Sequence, residues 1–203
     1  MKPVKFKKMV SEFIVESVTS RRKALVELTK ILREYDIDFV VIGGAILPEY
    51  GYVRNTEDVD LLVDSTDKGK LDNIPPDVMR QKTGITWIMH SPKCIVQTLF
   101  SGDKMGETAS VKYPKPNTVA VSLDIEGCSV PVLNLAKLIE FKLTSGLYGL
   151  MRSQDFVDVQ QLLIHNRLKR DFARKHEFGS DTEKKYEELW NEYSSAKHKM
   201  TEH

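Results

Sequence analysis

The sequence lacks an apolar run near the roughly 20 residues that a membrane-spanning helix needs. Its basic N-terminal stretch around Phe6 is not followed by an apolar core of the secretory type, so we expect neither a membrane span nor a signal peptide. Cysteine is scarce: Cys94 and Cys128 have no metal-type spacing and are too few for a disulfide framework. We therefore expect two thiols in a reducing compartment and a cytoplasmic location.

A charge imbalance is also missing. The chain has 203 residues, with 30 Lys and Arg against 29 Asp and Glu, which leaves a net charge of +1. Such a balance disfavours a dedicated nucleic-acid coat, whereas a small anionic substrate is compatible with it. The 5 histidines have no ligand spacing, and no serine, histidine and acid grouping indicates a hydrolase.

Hydrophobic periodicity predicts most of the secondary structure. Helical patterns cover 5–18 weakly and 20–35 strongly, with Ser20 as the N-cap of the second helix. The β-branched run 37–42 predicts a buried strand that ends at Gly43-Gly44, and a short helix follows over 45–50. The polar, proline-interrupted stretch 65–83 predicts a short helix and loops.

The remaining predicted strands are 58–63, 85–90, 94–100, 119–126 and 129–133; the remaining helices are 135–145, 153–165 and 182–197. Asn134 and Ser153 are the expected N-caps of the first two of these helices. The sum is an α+β protein, with a small mixed sheet flanked by helices and a helical C-terminal part. We expect three parts: N-terminal helices (1–36) packed on a core (37–166), and a charged helical tail (167–203).

Two carboxylates fall on one face of the second strand. Side chains alternate along a strand, so Asp58 and Asp60 point one way while Val59 and Leu61 point to the opposite, buried face. Adjacent carboxylates repel each other unless a cation lies between them, and Mg²⁺ commonly joins one or two carboxylates to substrate phosphates. The pair predicts a metal site; taken singly, it also fits an exposed strand edge.

Gly43 and Gly44 stand where the first strand meets the next helix. Two glycines there allow close approach of a phosphate to the backbone, although a tight turn alone explains them equally well. The order of the glycines, the lead-in 54–57 and the aspartates together favours a functional site.

The stretch Val41-Ile42-Gly43-Gly44, a 13-residue spacer and Asp58-Val59-Asp60-Leu61-Leu62 resemble the signature of the polymerase-beta-like nucleotidyltransferase superfamily. The lead-in Arg54, Thr56 and Asp58 looks like the branch that contains antibiotic-modifying nucleotidyltransferases and abortive-infection-type toxins. The resemblance implies that Asp58 and Asp60 bind Mg²⁺ (or Mn²⁺) carrying a nucleoside triphosphate, and that Gly43 and Gly44 hold its β- and γ-phosphates. It also implies nucleotide-binding roles for Arg54 and Thr56.

A second segment resembles the helical part of the same branch: Val130-Pro131-Val132-Leu133, the helix 135–143 and the stretch 152–158. Lys142 falls on the apolar stripe of its helix, where a lysine either extends to the surface or reaches a buried anion. The resemblance favours a catalytic contact between Lys142 and phosphate, and nucleotide binding by Arg152, Asp155 and Asp158. The two aspartates can orient Lys142 or Arg152, or simply interact with the helix N-terminus.

One position departs from the family pattern. Active members carry a third carboxylate on a later strand, and Gln97 stands where it is expected. An amide oxygen can bind a metal but is a poor base. Asp124, in a same-face pair with Glu126, is the alternative third carboxylate; the pair also fits the solvent face of a hairpin.

Three functions follow as hypotheses. The first is magnesium-dependent transfer of a nucleoside monophosphate from a triphosphate to a hydroxyl of a small molecule, protein or RNA end. The second, motivated by Gln97, is a catalytically impaired nucleotide-binding or interaction protein. The third is a nucleic-acid module that uses the basic residues Arg167, Lys169, Arg170, Arg174 and Lys175, which also fit a solvated helix face. The sequence leaves the acceptor and the oligomeric state open.

Overall fold

A computed structural model describes residues 3–56, 58–106 and 108–201, with side chains described over 18–196 of these ranges. The chain divides into two compact units. Unit 1 comprises Met1–Pro48, Val53–Gly102 and Tyr113–Leu133. Unit 2 comprises Glu49–Tyr52, Asp103–Lys112 and Asn134–His203. The division into parts 1–36, 37–166 and 167–203 stays a prediction.

Unit 1 contains a mixed seven-stranded sheet within the described residues. The strands are β1 (Phe39–Ile42), β2 (Asp58–Val63), β3 (Met79–Thr83), β4 (Thr86–His90), β5 (Lys93–Phe100), β6 (Ala120–Ile125) and β7 (Cys128–Leu133). Their order across the sheet is β3-β4-β5-β2-β1-β7-β6. β2 lies antiparallel to β1 and parallel to β5, while β1 lies parallel to β7. The predicted mixed α+β sheet with flanking helices is confirmed.

The central strands form the core of this unit. All four residues of β1 are buried, as are Val59 and the last three residues of β2. This burial on both faces explains why β1 and the last three residues of β2 are apolar without alternation. The only polar positions of β2, Asp58 and Asp60, lie at its start, so the fold places polar chemistry at that end of the strand.

A single helix, α1 (Pro3–Glu34), replaces the two predicted N-terminal helices. Ser20 lies inside α1, so the prediction that it is an N-cap is wrong. No glycine or proline stands between Pro3 and Gly43 to interrupt the helix, and serine is only a weak helix former rather than a breaker. The buried face of α1 contains Ala24, Leu25, Leu28 and Leu32. The apolar face predicted for 5–18 lies outside the described side chains, apart from its last residue.

Two segments differ from the sequence prediction. Gly43–Tyr50 is a 3₁₀ helix that starts two residues earlier than the predicted helix. The stretch 65–83 contains the 3₁₀ helix Ser65–Asn73 but also β3, which was predicted as loop. β3 is an edge strand in which Met79 is buried and the other four residues are exposed, so it has no alternating apolar pattern.

Unit 2 is mostly helical, with α2 (Leu135–Tyr148), α3 (Ser153–His165), α4 (Phe172–Lys175) and α5 (Ser180–Thr201). The Asn134 side chain accepts a hydrogen bond from the Lys137 N–H, which confirms the predicted cap. Ser153 is instead the first helical residue of α3 and the cap position falls on Arg152, so that predicted cap is wrong. The short α4 was not predicted.

The last helix docks within unit 2, where α5 packs on α2, α3 and α4. Tyr186 and Leu189 are buried, and the Tyr186 hydroxyl donates to the carbonyl of Lys169. Among the described residues, no helix is long and apolar enough to cross a bilayer.

Candidate functional site

The two aspartates of β2 occupy one face at the start of the strand. Asp58 and Asp60 are half-buried, whereas Val59 and Leu61 on the opposite face are buried. Asp60 lies opposite Ile42 of β1, the residue directly before the glycines. This pairing places Asp60 beside Gly43-Gly44, and strand alternation places Asp58 on the same face as Asp60.

Both glycines make contacts that a side chain would prevent. Gly43 has a φ of +72°, and a Cβ built on it would collide with the Asp60 carboxylate. A Cβ on Gly44 would come within 3.0 Å of Arg54 Nη2 and 3.0 Å of Thr56 Oγ1. The structure thus brings the Gly-Gly turn, the lead-in residues and Asp60 together in unit 1.

Thr56 connects the lead-in segment to the aspartates. Its hydroxyl donates to Asp58 Oδ1 at 3.1 Å, and its backbone carbonyl accepts from Arg21 Nη2 at 2.7 Å. Arg21 is buried on α1, and this burial lowers its pKa; the neighbouring Arg54 lowers it further, while Asp58 raises it. An arginine remains charged despite such a shift.

Arg21 is a site residue that the sequence interpretation missed. It stands three and four residues before Ala24 and Leu25, on the apolar stripe of α1. The argument that identified Lys142, a cation on an apolar stripe, applies equally to Arg21. The incorrect division of α1 at Ser20 removed Arg21 from the interior of a helix and hid this signal.

Gln97 lies beside the carboxylates, at the position expected for the third acid. β5 runs parallel to β2, with Gln97 opposite Asp60. The Gln97 amide donates from Nε2 to Asp58 Oδ2 at 3.0 Å. Each Asp58 oxygen therefore accepts a hydrogen bond, one from Thr56 and one from Gln97.

Asp124 does not join this group. It lies on β6, which β1 and β7 separate from β2, a distance on the order of three strand spacings, or about 14 Å. Its Oδ1 accepts a hydrogen bond from the Gly127 N–H at 3.0 Å, in the β6–β7 turn. Its placement as a third carboxylate is therefore wrong, and the hairpin alternative describes it correctly.

A small cleft of about 170 Å³ adjoins Asp58. Residues from α1, from the segment around Thr56 and from the start of β5 line it, among them Ser20, Arg21, Asp58, Lys93 and Cys94. Ser20 and Lys93 are exposed, so the cleft is open to solvent beside them. Burial raises the pKa of the Cys94 thiol to about 11.

The charged residues of the second resembling segment lie in unit 2. Lys142 Nζ contacts Asp155 Oδ1 at 3.0 Å and Asp158 Oδ2 at 2.6 Å, and all three side chains are buried. Two of the three ammonium N–H donors are thus committed to carboxylates. Arg152 is exposed at the start of α3. The nucleotide-binding and catalytic roles of these four residues stay predictions.

Within the described ranges no group of three or more histidine, cysteine, aspartate or glutamate residues could hold a metal ion. Asp58, Asp60 and the Gln97 amide supply oxygen ligands only. Such a set suits Mg²⁺, which usually keeps several waters and uses one or two carboxylates together with substrate phosphates. The donor set therefore fits the predicted metal.

No known family model and no curated protein matches the chain. Solved structures do. The antibiotic-resistance factor ANT(2'')-Ia in solution superposes with a TM-score of 0.50 at 12% identity, over 94% of this chain and 100% of that one. ANT(2'')-Ia in complex with adenylyl-2''-tobramycin superposes with a TM-score of 0.47 at 12% identity, over 92% of this chain and 98% of that one. A nucleotidyltransferase-like protein from Paracoccidioides brasiliensis superposes with a TM-score of 0.49 at 17% identity, over 71% of this chain and 76% of that one. The chain has the polymerase-beta-like nucleotidyltransferase fold.

Proposed function

We propose that this chain is a divalent-metal-dependent nucleotidyltransferase, which moves a nucleoside monophosphate from a nucleoside triphosphate to an acceptor oxygen and releases pyrophosphate. The sequence analysis predicts a hydroxyl as the acceptor group. The observation that carries the proposal is the pair Asp58 and Asp60 on one strand face, with Asp60 against Gly43, on a nucleotidyltransferase fold.

Asp58 and Asp60 are the residues that would hold the metal. Bound Mg²⁺ or Mn²⁺ supplies charge neutralisation for the triphosphate and polarises the phosphorus that is attacked. The collision of a Gly43 Cβ with the Asp60 carboxylate shows that backbone and carboxylate already meet closely, so any larger residue at position 43 would displace a ligand.

The surrounding side chains would bind a phosphate and orient the Asp58 carboxylate. Arg54 Nη2 lies beside Gly44, where a guanidinium can contact a phosphate that approaches the glycine backbone. Thr56 fixes one Asp58 oxygen by its hydroxyl, and Arg21 fixes the Thr56 backbone. Arg21 is thus a positioning residue for the segment that carries Arg54 and Thr56.

Transfer from an α-labelled triphosphate to a pool of acceptors, with Mg²⁺ or Mn²⁺, tests the proposal. We expect Asp58→Asn to lower the transfer rate by at least about 100-fold, since a metal ligand is lost. Asp124→Asn is the matched control, because Asp124 lies on the same sheet but away from the site; it should transfer like the wild type. Equal rates for the two variants, or transfer that survives chelation, would contradict the proposal.

A second candidate is favoured by the Gln97 amide, which donates to Asp58 where an active enzyme needs a base. In that case the chain binds triphosphates without turnover. Calorimetry combined with the transfer assay separates the candidates. Binding without transfer in the wild type, together with a gain of transfer in Gln97→Asp, supports a nucleotide-binding protein.

The third hypothesis, a nucleic-acid module, is not favoured. In the basic stretch, Lys175 pairs with Asp171 at 2.8 Å and Arg170 pairs with Glu187 at 3.6 Å. Local acidic partners therefore reduce the positive field that a polyanion requires.

A further inference from the structure

We propose that the site in unit 1 holds one divalent cation with the triphosphate, and that the Gln97 amide occupies the place beside Asp58 where a second cation would bind. The inference rests on the proposed nucleotidyl transfer and specifies the metal content of the same site. Two features carry it: the residues that neighbour the aspartates on their face of the sheet, and the hydrogen bond between Gln97 and Asp58.

The strand register shows which residues neighbour the two aspartates on the adjacent strands. Residues paired across neighbouring strands point to the same face of a sheet, and Asp60 is paired with Ile42 on β1 and with Gln97 on β5. Asp58 is paired with Ile95 on β5. The cross-strand neighbours of the two carboxylates are therefore two apolar side chains and one amide, and these neighbours add no negative charge to the face.

The Gln97 amide turns its N–H groups towards Asp58. Gln97 Nε2 donates to Asp58 Oδ2 at 3.0 Å. A carboxylate accepts hydrogen bonds, so the partner itself decides that the nitrogen of the amide, and not its oxygen, faces Asp58. The Thr56 hydroxyl donates to Oδ1, so each Asp58 oxygen already has a neutral donor. A carboxylate has about four lone-pair positions, and the remaining ones are enough for one cation.

A second cation on the Gln97 side of Asp58 would have to displace the amide. The ions of two-metal sites lie about 3.5–4 Å apart, so a second ion would share a carboxylate with the first and need further oxygen ligands beside it. The amide instead presents N–H groups there, and their positive ends repel a cation. Rotation of the amide would offer one neutral oxygen at the cost of the hydrogen bond to Asp58. One cation with two carboxylates and phosphate oxygens is a usual arrangement for Mg²⁺.

Equilibrium dialysis counts the bound ions. The protein is dialysed against Mn²⁺ and a non-hydrolysable nucleoside triphosphate, and the ratio of Mn²⁺ to nucleotide retained by the protein is measured. We expect a ratio of one in the wild type and of two in Gln97→Asp, because the new carboxylate replaces an N–H donor with an anionic oxygen ligand. Gln81→Asp is the matched control and should keep a ratio of one, since it adds the same charge at an exposed position of the edge strand β3.

Two further measurements need no turnover. Electron paramagnetic resonance of Gln97→Asp should show magnetic coupling between two Mn²⁺ ions about 4 Å apart, which the wild type should lack. Without metal, Gln97→Asp should melt at a lower temperature than the wild type, because a third carboxylate joins two others. Mn²⁺ with the triphosphate should then raise its melting temperature by more than that of the wild type. Gln97→Glu carries the same predictions and serves as the second variant if aspartate at this position prevents folding.

The outcomes separate the inference from the proposed function. A ratio of one in the wild type and of two in an acidic variant at position 97, with Mn²⁺–Mn²⁺ coupling in the variant alone, supports the inference. A ratio of two in the wild type overturns it while leaving nucleotidyl transfer intact; Glu57→Gln then tests Glu57, which lies outside the described residues, as the additional ligand. A ratio of one in both Gln97→Asp and Gln97→Glu overturns the role of Gln97. Nucleotide retention that needs no Mn²⁺ overturns the proposed function and the inference with it.

Discussion

The two charged clusters of this protein differ in how their charges are satisfied. In unit 2, Lys142 lies between Asp155 and Asp158, and the cluster is buried. In unit 1, Asp58 accepts from a hydroxyl and an amide, and it stands on the same strand face as a second half-buried carboxylate. The first arrangement pairs two carboxylates with one buried ammonium, whereas the second places two carboxylates side by side on one face of a strand.

The same substitution in each cluster gives the largest predicted contrast. Asp158→Asn should lower the free energy of unfolding by about 3–5 kcal/mol, because it breaks a buried ion pair and leaves an incompletely compensated ammonium. Asp58→Asn should change the free energy by less than about 1 kcal/mol, since it removes a repulsion together with a hydrogen-bond acceptor.

Urea denaturation followed by tryptophan fluorescence measures both variants. Trp190 lies in unit 2 on α5, and Trp87 lies in unit 1 on β4, so a Trp87→Phe background makes unit 2 visible alone. Similar destabilisation by Asp158→Asn and Asp58→Asn would show that the two clusters contribute equally to the free energy of unfolding.

The glycine turn gives the next largest effect. Gly43→Ala should cost about 1–3 kcal/mol, because alanine is strained at a φ of +72° and its Cβ meets the Asp60 carboxylate. Triphosphate binding should weaken in the same variant, since the displaced carboxylate is a predicted metal ligand. Gly84→Ala is the control, because Gly84 also has a positive φ but a Cβ there meets nothing within 4 Å. Equal triphosphate affinity in Gly43→Ala and wild type would show that the glycine turn takes no part in triphosphate binding.

The smallest effect tests the hydrogen bond that orients Asp58. Thr56→Val should cost about 1–2 kcal/mol in stability, since a bond to a charged acceptor is removed. Thr56→Ser keeps the hydroxyl and should recover most of the loss. In calorimetry with Mg²⁺ and a triphosphate, valine should weaken binding and serine should not. A valine variant that binds like the wild type would show that Asp58 needs no orientation by Thr56.

Strand alternation and glycine placement predicted which residues of unit 1 lie together; their roles stay predictions. The two-residue period of a strand was enough to predict that Asp58 and Asp60 share a face. The apolar run 37–42 was enough to predict that Gly43-Gly44 follows the end of a strand. The strands with buried faces were also predicted to within a residue or two of their ends. The exposed edge strand β3 was not, because its stability comes from pairing with β4 rather than from apolar residues of its own.

Tertiary contacts decided what local patterns could not. The sequence left open whether Asp155 and Asp158 orient Lys142, orient Arg152 or interact with the helix N-terminus, and the contacts between α2 and α3 show that both carboxylates reach the Lys142 ammonium. Asp124 was the alternative to the position of Gln97 in the sequence, and the strand order puts Gln97 beside Asp58 and Asp124 on the edge strand β6. Arg21 required the correct length of α1.

Calorimetric titration of a non-hydrolysable nucleoside triphosphate tests the central claim most directly, with Mg²⁺ or with a chelator and on wild type and Asp60→Asn. The account predicts binding that requires the metal and that Asp60→Asn weakens by at least roughly tenfold, while the fold remains intact by circular dichroism. Binding that is equally strong with the chelator, or unchanged by Asp60→Asn, would contradict a metal–triphosphate site at Gly43-Gly44, Asp58 and Asp60.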